Sequence, residues 1–164
     1  MRYVIREKFF RLGEDSEITN EQGQPVYQVD GKLLTLHQTL MVRDMAGNEL
    51  AKVRRQLLSL RPTYHITRQG SETEVRKRFF SPFVDRYTID IPGPDDLSVT
   101  GSLFEHEYTI RRGEQVVATV SKRWISLTET YGVDIAPGED DLLILTSVLA
   151  LDLAEDQERA AHHG

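Results

Sequence analysis

The chain contains no cysteine, so neither disulfides nor thiolate metal sites contribute to it. It has no surplus of positive charge: 20 Lys and Arg stand against 26 Asp and Glu, a formal net charge of −6. No global field attracts nucleic acid or anionic lipid, and a polyanion site has to be a local basic patch. The N-terminal MRYVIREKFF scatters charges among its apolar residues and has no signal-peptide core, which points to a cytoplasmic protein. Familiar reaction motifs are missing too. There is no HExxH, no GxSxG and no Gly-rich phosphate loop. His37, His65 and His106 are the only histidines ahead of the C-terminal tail, and none has the sequence partners that catalysis requires. An enzyme is not expected, and no cofactor is implied.

Long hydrophobic runs are scarce as well. The uninterrupted one, Leu142 to Leu151, is ten residues and contains Thr146 and Ser147. A membrane span needs about 20 residues, and Asp140, Asp141 and Asp152 would be costly in hydrocarbon. The segment DLLILTSVLALD, Asp141 to Asp152, is apolar around every face of a helix and so has to be surrounded by protein. Its acidic start suits a helix N-terminus, where carboxylates meet unpaired N–H groups and the positive end of the dipole. The spacing predicts one domain over residues 1–156 and a polar flexible tail over 157–164. His162 and His163 in that tail read as incidental rather than as a metal site.

Ahead of the helix the chain reads as short strands: Arg2–Phe9, Glu17–Asn20, Val26–Val29, Leu40–Arg43, Glu49–Leu57 and Tyr64–Thr67, then Thr73–Phe80, Arg86–Asp90, Leu97–Gly101, Tyr108–Arg111, Gln115–Ser121 and Tyr131–Ile135. Turn residues separate them, including Gln22-Gly23, Ala46-Gly47-Asn48, Gln69-Gly70 and Arg112-Gly113. The two halves resemble each other at a period of about 67 to 70 residues. Val42 falls on Ile110, Ala51 on Ala118, Val53 on Val120, Leu57 on Trp124 and Tyr64 on Tyr131. Upstream, Val29 and Gly31 match Val99 and Gly101. That period is too long for a solenoid and suggests two similar β-meanders closing into one antiparallel barrel of about a dozen strands, without exposed edges. Such a barrel has room for more than its own side chains, and the apolar C-terminal helix is the element suited to fill it.

The stretch Val116–Asp152, VVATVSKRWISLTETYGVDIAPGEDDLLILTSVLALD, resembles the LURP-one-related family within the Tubby C-terminal-like superfamily. The VSKRW strand, the TYGVDI segment, the GEDDLLIL helix start and the closing ALD match in order and spacing, and a looser collinear likeness runs from Tyr3 to about Phe83. The resemblance implies a mainly β fold, a closed barrel wrapped around a central hydrophobic C-terminal helix. It implies function less directly. Tubby domains bind phosphoinositide headgroups through basic residues on the barrel surface, scramblase relatives are associated with phospholipids and calcium, and plant members are linked to defence.

For a headgroup the candidate residues are Arg54, Arg55, Arg76, Arg78, Lys122 and Arg123, with Arg61 and Lys77 nearby in sequence. Clustered or forked donors from neighbouring strands neutralise several phosphate oxygens at once, and the repeat places Arg55 on Lys122. The opposing reading makes these residues solvated outward faces or edge-protecting charges. For calcium the candidate group is Asp134, Glu139, Asp140 and Asp141, with Glu129, but the D-x-[DN]-x-[DN]-G spacing is absent and helix capping explains the run. Trp124 reads as core or rim packing, because apolar Leu57 occupies its equivalent position. The expected function is a non-enzymatic binding module for an anionic lipid headgroup or related phosphorylated ligand, cytoplasmic or peripheral to a membrane, without a transmembrane segment or nucleic-acid partner. The alternative is a protein-interaction or structural module with no small ligand.

Overall fold

The structure, a computed structural model, describes residues 1–6, 15–31, 38–78, 85–91, 95–125 and 130–163. Within them are twelve strands: β1 (Arg2–Arg6), β2 (Ser16–Asn20), β3 (Pro25–Asp30), β4 (Thr39–Asp44), β5 (Glu49–Arg55), β6 (Thr63–Arg68), β7 (Ser71–Lys77), β8 (Asp85–Asp90), β9 (Leu97–Ser102), β10 (Glu107–Arg112), β11 (Gln115–Ser121) and β12 (Thr130–Ile135), followed by one helix, α1 (Asp141–His163). Each strand pairs antiparallel with its sequence neighbours, and β12 pairs with β1 to close the ring. The expected closed barrel with a central helix is the observed architecture.

The repeat is visible in the ladders. Val29 faces Val42, which faces Ala51; in the second half Val99 faces Ile110, which faces Ala118. The same irregularity follows in both, a register shift after Val42 and after Ile110. Such a bulge increases local twist and helps a sheet bend into a barrel. The correspondence extends beyond the segment matched in sequence. Ile5 opposite Ile18 has its counterpart in Val75 opposite Ile89, so β1–β6 and β7–β12 are equivalent halves.

Alternation then sorts the side chains. Ile5, Val42, Val53, Ile66, Val75, Ile89, Val99, Ile110, Val120 and Val133 are buried and share one core with the helix. Every α1 residue from Ile144 through Ala154 is buried. With each buried leucine stabilising by about 1.5–3 kcal/mol, this helix is the principal filling of the barrel. Its polar groups are satisfied locally: Thr146 Oγ1 donates to the Leu142 carbonyl at 2.8 Å and Ser147 Oγ to that of Leu143 at 2.8 Å.

Both helix ends are latched to strands. At the lower end, where α1 begins, Asp140 accepts from the Leu143 amide at 3.1 Å and from Arg68 Nη1 at 2.8 Å. Arg112 makes a two-pronged pair with Glu139 at 2.7 and 3.0 Å, and the Tyr3 hydroxyl donates to Asp141. At the upper end Lys77 Nζ lies 3.2 Å from Glu158, and the Tyr64 hydroxyl donates to Gln157 at 3.2 Å. The stretch from 157, expected as a flexible tail, is therefore helical to His163, and its first two residues are tied to β6 and β7. No helix among the described residues is long and apolar enough to cross a membrane.

Candidate anion-binding surface

Antiparallel closure sends the connections after β1, β3, β5, β7, β9 and β11 to the upper end. Arg54 and Arg55 close β5, Arg76 and Lys77 close β7, Arg78 follows it, and Lys122 and Arg123 follow β11. All six candidate residues thus lie near one end of the barrel, but on different sides of it. Equivalent positions of a two-fold repeat in a twelve-strand ring sit six strands apart, on opposite walls. The recurrence of Arg55 at Lys122 therefore separates the two basic pairs.

Strand parity removes two residues from the outer face. Arg54 is exposed, whereas Arg55, next along the strand, turns the other way and donates from Nη1 to Gln38 Oε1 at 3.0 Å. It also lies beside buried Tyr64, whose hydroxyl is pushed well above its ordinary pKa by burial while the Arg55 charge partly opposes the shift. Lys77 is buried against the helix through Glu158. Across the barrel, Lys122 gives its amide to Glu107 at 3.1 Å and Arg123 Nε lies 4.0 Å from the same carboxylate.

What does come together is Arg61, Arg76 and Arg78. They line the upper part of a groove of about 490 Å³ on the outer face of β7, β8 and β9, whose lower part carries Asp90 and Asp96. Arg61 Nη1 donates to the Arg78 carbonyl at 2.5 Å, tying the β5–β6 loop to the end of β7. Arg76 pairs with Glu74 on its own strand. Arg54 stands two strands away, about 10 Å around the wall, with His65 and Glu74 in the row beside it. Among the described residues neither Arg54 nor Arg78 has a carboxylate within ion-pair distance. Asp90 has its pKa raised by the neighbouring Asp96 carboxylate. Glu74 lines the groove beside Arg76 and partly offsets it, so the groove is cationic at its Arg61 and Arg78 end and anionic below.

Sequence reasoning missed the apolar feature beside these arginines. Glu49–Leu57 was expected as strand; β5 stops at Arg55, and residues 56–62 form a loop in which Leu57 is 63% exposed and Leu58 and Leu60 wholly so. Gln56, next to them, reaches His65 Nε2 at 2.7 Å from its side chain, and its amide donates to the Thr63 carbonyl at 2.8 Å. Also missed was a buried polar cluster: His106 Nε2 lies 3.0 Å from Asp152 of α1, which accepts from Tyr131, and the imidazole stacks on that tyrosine ring at 4.4 Å. His65 is held at the surface by Glu72 at 2.7 Å, while His37 and Glu129 lie outside the described residues.

The acidic run before the helix has partners of its own. Asp134 meets Arg2 at 3.5 Å, and Glu139, Asp140 and Asp141 are taken by Arg112, Arg68 and Tyr3. Burial opposes ionisation of Asp140, yet hydrogen bonds from Arg68 and the Leu143 amide hold its carboxyl below the usual range. Trp124 lies on the outside of β12 over Gly132 rather than in the core, 38% exposed, with the Arg2 guanidinium 4.7 Å from its ring centre. A second groove of about 450 Å³ on β2–β4 mixes Arg6 and Arg43 with Asp15, Glu17 and Asp30; Arg43 is already paired to Asp30 at 2.9 Å.

Comparison with known proteins adds to this geometry. A structure from Arabidopsis thaliana superposes with a TM-score of 0.69 at 18% identity, over 94% of this chain and 90% of the plant one; that likeness is one of fold. The Bacillus subtilis (strain 168) protein YxjI is 30% identical over 153 residues, 91% of this chain and 90% of its own. The family model described as LURP-one-related matches residues 1–152, from β1 through Asp152 of the helix, and the chain belongs to the LURP-one-related family.

Proposed function

We propose that this domain is a non-enzymatic binding module for an anionic lipid headgroup or a related phosphorylated ligand, acting in the cytoplasm and peripherally at a membrane. The observation that carries it is the convergence of Arg61, Arg76 and Arg78 on one groove, with exposed Arg54 two strands away at the same end of the barrel. Guanidinium forks suit phosphate oxygens because they supply several donors in a fixed plane. Asp90 and Asp96 below them repel an anion that slides deeper, which confines the ligand to the rim. The net charge of −6 makes this local patch, and not the whole surface, the source of attraction.

Flotation with phosphatidylcholine vesicles, with and without phosphatidylserine or a phosphoinositide, tests the reading. Expected is recovery with the anionic vesicles at low salt, weakened by added salt and by Arg76→Gln with Arg78→Gln. Lys122→Gln with Arg123→Gln, on the far wall, leaves recovery unchanged. Equal recovery with neutral and anionic vesicles, or indifference to the Arg76 and Arg78 changes, sinks the proposal. Specific capture of a protein partner through the same surface, with no vesicle binding, favours the protein-interaction module instead.

A further inference from the structure

The two halves of the barrel differ most informatively where Trp124 and Leu57 correspond. Trp124 has a seat: Gly132 on β12 has no side chain, and a Cβ there would come within 2.8 Å of Trp124 Cε3. The equivalent residue on β6 is His65, facing Arg54 across the ladder as Gly132 faces Ser121. Its imidazole fills that place, held between Gln56 at 2.7 Å and Glu72 at 2.7 Å. Leu57 therefore cannot lie down on the barrel, and the loop stands away from it with Leu57, Leu58 and Leu60 in solvent.

This loop is built rather than slack. Ser59 Oγ donates to the Arg61 carbonyl at 2.5 Å and lies 3.1 Å from Thr63 Oγ1. Thr63 donates to the same carbonyl at 3.0 Å, and Arg61 is anchored to the end of β7. Leu58 is held at φ +60°, a left-handed conformation uncommon for a bulky residue and seen at functional loops. An exposed apolar tip of adjacent leucines marks an interaction surface rather than ordinary scatter.

We propose that residues 57–60 insert into the headgroup–acyl boundary of an anionic bilayer while Arg54, Arg61, Arg76 and Arg78 lie at headgroup level. This rests on the headgroup reading above and adds the mode of attachment and the orientation of the barrel. The occupant is argued from complementarity: leucines at the tip want hydrocarbon, and the ring of guanidiniums behind them wants phosphate. With the tip inserted, the barrel stands with its upper end on the membrane and the helix start pointing away.

The absence of native cysteine allows a single label. Leu60→Cys and Met45→Cys, the latter at the lower end between β4 and β5, each carry an environment-sensitive fluorophore. With phosphatidylserine-containing vesicles the label at 60 brightens several-fold, shifts to the blue and is quenched by lipids brominated on the acyl chains; the label at 45 does not respond. Leu58→Ser with Leu60→Ser lowers vesicle partitioning by about a hundredfold without altering its salt dependence or the melting temperature. Vesicle binding with an unresponsive label at 60 overturns insertion and leaves the headgroup reading standing. Failure to bind anionic vesicles at all overturns both. A label that brightens with protein concentration alone, alongside a dimer in sedimentation, assigns the leucines to a second copy of the chain and also overturns insertion.

Discussion

Leucine at 149 and leucine at 60 pose opposite expectations for one chemical change. Leu149 is wholly buried in the middle of α1, on a helix that leans chiefly on β5, β6, β7 and β12. Truncating it to alanine removes the transfer free energy of the lost carbons and leaves a cavity that a closed twelve-strand wall cannot easily collapse around. Leu→Ala changes in such sites cost about 3–5 kcal/mol, a large share of the roughly 5–15 kcal/mol that stabilises a typical domain. At about 2–4 °C per kcal/mol for a chain of this size, the melting temperature of Leu149→Ala falls by roughly 6–20 °C. Leu60→Ala, at a residue with nothing to lose, leaves it unchanged. Thermal melts followed by far-UV dichroism give the temperatures, and urea unfolding gives the free-energy costs. Leu145→Asp or Leu149→Asp, which bury an unpaired charge, abolish cooperative folding altogether. A cost below about 1 kcal/mol for Leu149→Ala, far short of the buried-leucine range, or equal costs at 149 and 60, refutes a helix threaded through the barrel.

Two further outcomes follow from particular contacts. Gly132→Ala places a Cβ against the Trp124 ring; the indole lifts off β12, its fluorescence moves to the red, and stability drops by about 1–3 kcal/mol as for other overpacked sites. Arg68→Met removes the cation that helps hold Asp140 below its ordinary titration range. Because the folded carboxyl binds its proton at lower pH than the unfolded one, the stabilisation is present above about pH 3.9 and is lost as pH falls through the folded value. The melting-temperature gap between wild type and Arg68→Met is therefore full at neutral pH and closes in acid; a gap that persists unchanged at pH 2 contradicts the assignment.

The strands were legible because their inner residues alternate with polar ones, and the helix because its apolar run had no polar face. Other features needed contacts between distant residues. The helix beyond Asp156 looks like a tail since its residues are polar, yet Gln157 and Glu158 are fixed by Tyr64 and Lys77. His106, Asp152 and Tyr131 meet only after the barrel closes around α1. Some of the candidate site could have been corrected from sequence alone. Adjacent Arg54 and Arg55 in one strand must face opposite ways, and a two-fold repeat in a closed ring must set Lys122 far from Arg55. The leucines of QLLSL could not be sorted by type, because buried and exposed leucines look alike; the signal was glycine at 132 against histidine at 65.

That last contrast bears on where function resides in a duplicated barrel. Features shared by both halves serve closure: the facing aliphatic residues, the register shifts after Val42 and Ile110, and the inward Tyr64 and Tyr131. A ligand site built from shared features would occur twice, on opposite walls. Among the described residues the leucine tip occurs on one side only; the groove recurs on the opposite wall with Arg6 in the place of Arg76, but there Arg43 is already paired to Asp30. Trp124 is seated where Leu57 protrudes, and Ser121, which donates to Glu107, stands where the other half has Arg54. Departures from the repeat are thus where the surface escapes the demands of folding. The leucine tip and Arg61 lie at the upper end between β5 and β6, two of the strands on which the helix leans. On the proposed headgroup reading, arginines carried on barrel strands and a hydrogen-bonded loop lose less ordering entropy on binding phosphate than the same residues on a mobile tail would.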